Sequence, residues 1–539
     1  MSLTSTSSLL ASLAALYALY KIVCILYNDF TSPISNLPGL SSANIIFGNV
    51  RDMLFTDHAA VQSENVTKHG TTFKFRAMLW ENWLFTADVK LISHILKNDT
   101  TIWHKPDNFL ARELFNLLGP GIILVDSDIH RKQRKILNPA FAPAEIKGLT
   151  KIFFDKALKL RDIWINQIQQ SDREVGRIEV LSWLSRTTLE VIGEAGFGYK
   201  FDALTEDPNK SNELHDAFKT MFNVGKSPGI LRFARRALPP LQYIIPAEQD
   251  QERYRSRETM LRIGRQLLKD RQLAIDPMVD GKKGKIEGND ILSLLVRVNA
   301  SGEQHQRLPE EQILAQIPTF IVAGHETTST ATAWALYSLS QDTFVQDNLR
   351  KELLSVTSET PVDELNALPY LDAVTREVLR FHSPIPATAR IATQDDVLPL
   401  QNPVTDKNGK VHLELRVKKG QIVLISLAMV NRLESIWGND ADKFNPERWS
   451  SLPEAANTIP GVWGNQLSFF GGPRSCIGFR FSLIEMKAIL FTLIRAFEFE
   501  LAVPGSDIIK RTEIISRPSL RTEPDGLNQL PMIVRPVTR

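Results

Sequence analysis

The sequence predicts a mainly α body with a minor β part, preceded by one N-terminal transmembrane helix. Apolar residues recur at three- to four-residue spacing over 146–169, 178–195, 251–273, 309–340 and 477–497, the signature of amphipathic helices. Period-two alternation is scarcer. Val411, Leu413, Leu415 and Val417 interleave with His412, Glu414 and Arg416; Gly420 then marks a turn into an apolar run, and Thr72–Arg76 is a weaker strand. Residues 9–26, LLASLAALYALYKIVCIL, carry a single charge, Lys21.

As a helix that N-terminal run is roughly 27 Å long, close to the roughly 30 Å of a bilayer's hydrocarbon core. Lys21 sits near its end, where its stem can snorkel, and Tyr20 and Tyr27 suit an interface. A cleaved signal peptide fits poorly: no basic region precedes Leu9 and no small-x-small site follows. Lysine and arginine are absent before the span, while Lys21 and Arg51 follow, a bias that places the C-terminal bulk in the cytosol. The chain therefore divides into an anchor (1–30), a linker containing Pro38 and Gly39 (31–45) and one large domain (46–539). Stretches 276–290 and 401–410 are expected as surface connections, and no internal repeat is present.

Of 539 residues, 43% are hydrophobic and 23% charged, as in an ordinary globular protein; 63 basic against 61 acidic residues give no global electrostatic case for binding nucleic acid. Cys24 lies in the span, so the body holds only Cys476 and cannot form an internal disulfide, which suits a reducing compartment.

Cys476 stands in FFGGPRSCIGFR, where Phe469, Gly472, Arg474, Cys476 and Gly478 satisfy F-x-x-G-x-R-x-C-x-G. Glycines at 471, 472 and 478 permit a tight loop and close approach of backbone to a flat group. A helix starting near Ile477 would favour a thiolate at its N-terminus. A lone cysteine is ordinarily a small buried hydrophobe, and a zinc site would need further ligands, yet no CxxC or HxxxH accompanies it. The pattern closely resembles the haem-binding signature of the cytochrome P450 family. That resemblance implies a cytochrome P450-like fold and haem b (iron protoporphyrin IX). Cys476 would be the axial ligand of the iron, its thiolate favouring O–O cleavage, and Arg474 would pair with a haem propionate.

Further segments extend the resemblance. Ala323, Gly324, His325, Glu326, Thr327 and Thr328 are similar to the family's A-G-x-[DE]-T-T segment. It implies that Ala323 and Gly324 leave room for dioxygen, that Thr327 lies beside it, and that Glu326, on another helix face, passes protons through water. Pro318 lacks the N–H that would bond the Leu314 carbonyl, so a bend is expected there. Glu377 and Arg380, as E-x-x-R, with Arg448 in FNPERW, resemble the family's structural ion network. In DSDIHRKQRKILNPAF the family's tryptophan and arginine, both propionate contacts, correspond to His130 and Arg134; Arg390 in PATAR resembles another such contact.

The resemblance implies a membrane-anchored monooxygenase. It would use O2, two electrons and two protons to insert one oxygen atom into a C–H or C=C bond, releasing water. No flavin or nicotinamide fingerprint is present, so electrons are expected from a separate NADPH-cytochrome reductase, for which Arg131, Lys132 and Lys135 offer a docking surface. The sequence is most similar to fungal microsomal members. This implies the endoplasmic reticulum membrane and a lipophilic small-molecule substrate, terpenoid or sterol, in secondary metabolism, with 109–124 and 231–246 as access segments. Fatty-acid hydroxylation, a reductase-independent isomerase or dehydratase, and a haem-binding sensor or carrier are the alternatives. Ala323 takes the position where some fatty-acid hydroxylases carry a haem-esterifying glutamate, so covalent haem is not expected.

Overall fold

A computed structural model describes residues 31–539 apart from positions within 42–46, 55–57, 108, 171–173, most of 206–247, 276–289, positions within 302–306, 524–527 and 538–539. The expected transmembrane helix falls largely outside the described residues, of which Ser12, Leu16, Tyr20, Val23 and Tyr27 are helical and exposed. Among the described residues no helix is long and apolar enough to cross a membrane. Residues 231–246, expected as an access segment, also lie outside them.

The helices that frame the site are α1 (Val89–Lys97), α2 (Phe109–Leu118), α3 (Ser127–Leu137), α4 (Pro143–Gln170), α5 (Val180–Phe197), α6 (Glu248–Ile275), α7 (Ile291–Ser301), α8 (Gln316–Gln341), α9 (Thr343–Leu354), α10 (Pro369–Phe381) and α11 (Phe479–Ala496). Each long periodic run becomes a helix because its apolar stripe finds a partner. Phe153 and Phe154 of α4 meet Phe481 and Phe491 of α11 edge to face, with centroids 4.7 and 5.9 Å apart. At the centre of this helical core α8 lies against α5.

The run 309–340 is not one helix. It divides into Glu310–Leu314 and α8, because Pro318 leaves the Leu314 carbonyl without its helical donor. Ile178 belongs to a strand paired with Met532. Helix α11 starts at Phe479, two residues beyond Ile477, with Gly478 as its N-cap.

The β part forms a second core. Strands β1 (Thr72–Arg76), β2 (Asn82–Thr86), β3 (Trp103–His104), β5 (Ala387–Ala392) and β8 (Ile422–Ser426) make a sheet of order β1-β2-β8-β5-β3, in which only β2 and β8 run parallel. Strands β4 (Gly176–Glu179), β9 (Phe497–Leu501) and β12 (Pro531–Pro536) form a second sheet; β6 (Asp396–Thr405) with β7 (Val411–Val417), and β10 (Ile508–Thr512) with β11 (Ser516–Leu520), form hairpins. The run after Gly420 is thus the central strand β8, its Val423, Leu424 and Ile425 buried. In β7 only Leu415 and Val417 of the alternating set are buried, while Val411 and Leu413 are exposed.

Two expectations are corrected. Strand β6 absorbs the first half of 401–410: Val404 is buried opposite His412, and the Gln401 and Asn402 N–H groups donate to the Asp88 carboxylate, each at 2.9 Å. The segment expected as a proline-containing linker packs on the body: Ile34 and Leu37 are buried, and residues 38–40 bridge to Lys74 along the edge of β1.

Candidate functional site

The loop carrying Cys476 is forced into shape by close packing on α1. A Cβ on Gly471 would lie 1.8 Å from the Pro460 carbonyl oxygen, and Gly472 has φ +67° with Leu96 of α1 against it. The Cys476 N–H donates to the Phe469 carbonyl at 2.9 Å, closing the loop, while the Phe469 ring packs between Trp463 and Phe479. Gly478 differs. A Cβ there would meet only the Phe141 ring, at 3.7 Å, so packing within the protein leaves its near side open to a flat group.

Cys476 itself is solvent-accessible, yet surrounding protein desolvates its thiol and pushes its pKa up, against the Gly478 N–H and the Arg134 charge. Desolvation thus opposes the ionised form that a helix N-terminus would favour, and the helix itself begins three residues later. A metal ion bound to sulfur would favour the thiolate.

Around this loop gathers a set of buried cations. Arg134 of α3 donates to the Ser475 carbonyl at 2.5 Å and to Asn138 Oδ1 at 2.8 Å. Arg390 of β5 pairs with Asp99, just beyond α1; Arg474 pairs with Asp126 and lies 3.7 Å from Asp99. Two of the three guanidinium groups expected at propionates, those of Arg390 and Arg474, are thus held by two carboxylates. Lys105 completes the group. Although its surface is only half-buried, protein crowds its ammonium, and burial followed by repulsion from Arg474 and Arg390 lowers its pKa to about 7. Burial, with Lys105, Arg134 and Arg390 nearby, lowers buried His130 to about 4. Among the described residues, buried His104 Nε2 has no hydrogen-bond partner.

Four cations, Lys105, Arg134, Arg390 and Arg474, thus face two carboxylates, Asp99 and Asp126. The excess suits a dianionic group, and the Cys476 thiol beside Arg134 suits iron; these residues fit haem. His130 is neutral at pH 7, so it offers an imidazole N–H, as the family's tryptophan offers an indole N–H.

Helix α8 is buried along most of its length, but residues 322–327 are all only partly so. Within this stretch the Thr327 hydroxyl donates to the Ala323 carbonyl at 2.6 Å. Glu326 points elsewhere and pairs with Arg517 of β11. A Cβ on Gly324 would approach Ile192 of α5 to 3.0 Å, so the missing side chain there serves helix packing. Thr328 and Ser482 share a hydrogen bond of 3.0 Å, tying α8 to α11.

Behind the loop lies the ion network. Arg380 donates to both Glu377 oxygens, at 2.9 and 2.7 Å, and to the carbonyls of Asn431, Ala441 and Lys443. Arg448 Nε stands 3.5 Å from Glu377, and its Nη1 donates to Asp440 at 2.7 Å. The sequence reading missed Asp99, Lys105, Arg517 and Glu485. Only Glu485 left a signal, as a lone acid in the apolar run of α11.

Comparison with known proteins agrees with this geometry. The family model described as Cytochrome P450 matches residues 38–523. Cytochrome P450 monooxygenases 205 and 128 of Postia placenta are 45% and 43% identical to the chain, each over 96% of both proteins. Ganoderic acid synthetase CYP5150L8 of Ganoderma lucidum is 35% identical over 91% of this chain and 92% of its own. With its cysteine loop, its cation cluster and its Glu–Thr helix in one fold, the chain belongs to the cytochrome P450 family.

Proposed function

We propose that the chain is a haem monooxygenase that takes electrons from a separate NADPH-cytochrome reductase and oxidises a lipophilic metabolite, a terpenoid or sterol, at the cytosolic face of the endoplasmic reticulum membrane. Haem bound by Cys476 supplies dioxygen binding and O–O cleavage. Lys105, His130, Arg134, Arg390 and Arg474 would meet its propionates. The observation that carries the reading is the division of labour on α8: Glu326 and Thr327 are adjacent, half-buried and directed to different partners. Glu326 can take a proton from water, while the Thr327 hydroxyl can orient a second water toward the reacting oxygen. One O2, two electrons and two protons yield one oxygen atom in product and one water.

A relative named for ganoderic acid synthesis supports a small organic substrate over a macromolecule. The test combines the full chain, the reductase, NADPH and isotopically labelled O2 with a library of terpenoids, sterols and fatty acids. One labelled oxygen per product is expected; product formed without NADPH would replace this reading with an isomerase. Flotation with vesicles tests the anchor, and loss of residues 1–30 should release the protein.

A further inference from the structure

Arg517 lies in β11 directly opposite Arg511 of β10, an arrangement of like charges that a hairpin does not favour. The hairpin has other supports. Trp334 Nε1 of α8 donates to the Ser516 carbonyl at 2.8 Å, Ser516 N–H donates to the Pro384 carbonyl at 2.9 Å, and the Thr512 and Ser516 hydroxyls are 2.8 Å apart. None of these contacts needs an arginine at 517. Among the described residues its charged partner is Glu326. Burial lowers its pKa to about 10, which still leaves it a cation at neutral pH. Glu326 keeps part of its surface accessible, with His325 Nε2 3.8 Å from its other oxygen.

Resting on the monooxygenase reading above, we propose that Arg517 is a positioning residue for proton delivery: from the β10–β11 hairpin it holds the Glu326 carboxylate, ionised and in one orientation, beside Thr327. An opposite charge in contact favours the ionised carboxylate. Glu326 therefore accepts one proton from solvent, gives one up toward Thr327, and returns to the carboxylate that Arg517 holds. The proton count balances at each cycle, and the hairpin fixes where the acid stands.

The test uses the full haem-loaded protein and the variants Arg517→Gln, Arg517→Lys, Glu326→Gln and the double variant R517Q/E326Q. Melting temperatures form a double-mutant cycle; non-additive shifts are expected for a true pair. In parallel, product per NADPH and its solvent deuterium isotope effect are measured with the reductase. R517Q should lower the product ratio on the order of tenfold, less than the roughly hundredfold minimum for losing a general acid outright. It should also enlarge the isotope effect with KM unchanged, and Arg517→Lys should restore both. Additive melting shifts, or a product ratio in R517Q equal to wild type, would overturn the assignment. If R517Q does not load haem, Glu326→Asp, which withdraws the carboxylate from Arg517, must show the same loss or the assignment falls. Failure of the monooxygenase reading looks different: the wild type itself would form no product dependent on NADPH and O2.

Discussion

Glu377 and Arg380 form a two-bonded ion pair, 2.9 and 2.7 Å, with both side chains wholly removed from solvent. The same carboxylate also accepts from the Asn445 N–H at 2.8 Å and Trp449 Nε1 at 3.0 Å, so one glutamate joins α10 to the segment that leads toward the cysteine loop. Glu377→Ala would strand the buried Arg380 cation, a loss on the order of 3 to 5 kcal/mol. Lower haem occupancy and a lower melting temperature are expected. Arg448→Ala should cost less, since part of its pairing is with the more exposed Asp440. Equal occupancy and stability in both variants would remove the structural role.

His130 is held neutral, and this makes its contribution depend on pH. Its folded pKa of about 4 lies below the ordinary 6.5, so the folded state binds fewer protons than the unfolded one between those values. The stability it allows is present above about pH 6.5 and is lost as pH falls toward 4. His130→Phe should therefore flatten the acid limb of the stability curve, measured as urea midpoints between pH 4 and 7. His130→Trp should retain haem loading because an N–H donor remains, whereas the phenylalanine variant should load less. A phenylalanine variant with full haem and an unchanged acid limb would count against both roles.

What was legible depended on how local the signal was. The cysteine loop lies within ten residues, and Glu377 with Arg380 within one helical turn, so spacing alone exposes them. Asp99 meets Arg390 across 291 residues of chain, and neither its spacing nor its neighbours announce that contact. Arg517 is hidden for the same reason: it lies 191 residues from Glu326 in the chain, and only the fold brings the two together. The helix break at Ala315 follows from Pro318 and was readable, down to the Leu314 carbonyl that loses its donor.

Glu485 is fully buried in α11, its two carboxyl oxygens lacking hydrogen-bond partners, and burial pushes its pKa well above 4.5, with the Thr328 hydroxyl the opposing influence. Burial thus favours its protonated form in the native state. A carboxyl whose folded pKa is raised gives stability that is fully present below its unfolded value and lost as pH rises. Glu485→Gln should thus match wild type near pH 4.5 and become relatively more stable above it, by roughly 1.4 kcal/mol per pH unit until the folded pKa is reached. Urea midpoints of both proteins across that range decide the point. A constant difference would mean that Glu485 is already ionised in the fold.

Thr327 lies on the half-buried stretch of α8 with its hydroxyl bonded to the Ala323 carbonyl at 2.6 Å, a local contact that any threonine in a helix can make. Structure alone therefore asks little of it: Thr327→Ala removes one exposed-side bond, and haem loading and melting temperature should stay near wild type. Chemistry asks more. If the hydroxyl orients the water that carries protons from Glu326, its loss leaves proton arrival unguided, and reducing equivalents should be spent on hydrogen peroxide in place of product. NADPH consumption should continue while product per NADPH falls and peroxide rises to match. The measurement is the three-way balance of NADPH, product and peroxide, with the same reductase for both proteins. An unchanged balance would place proton delivery on another route and would remove the functional distinction between Thr327 and the purely structural Thr328.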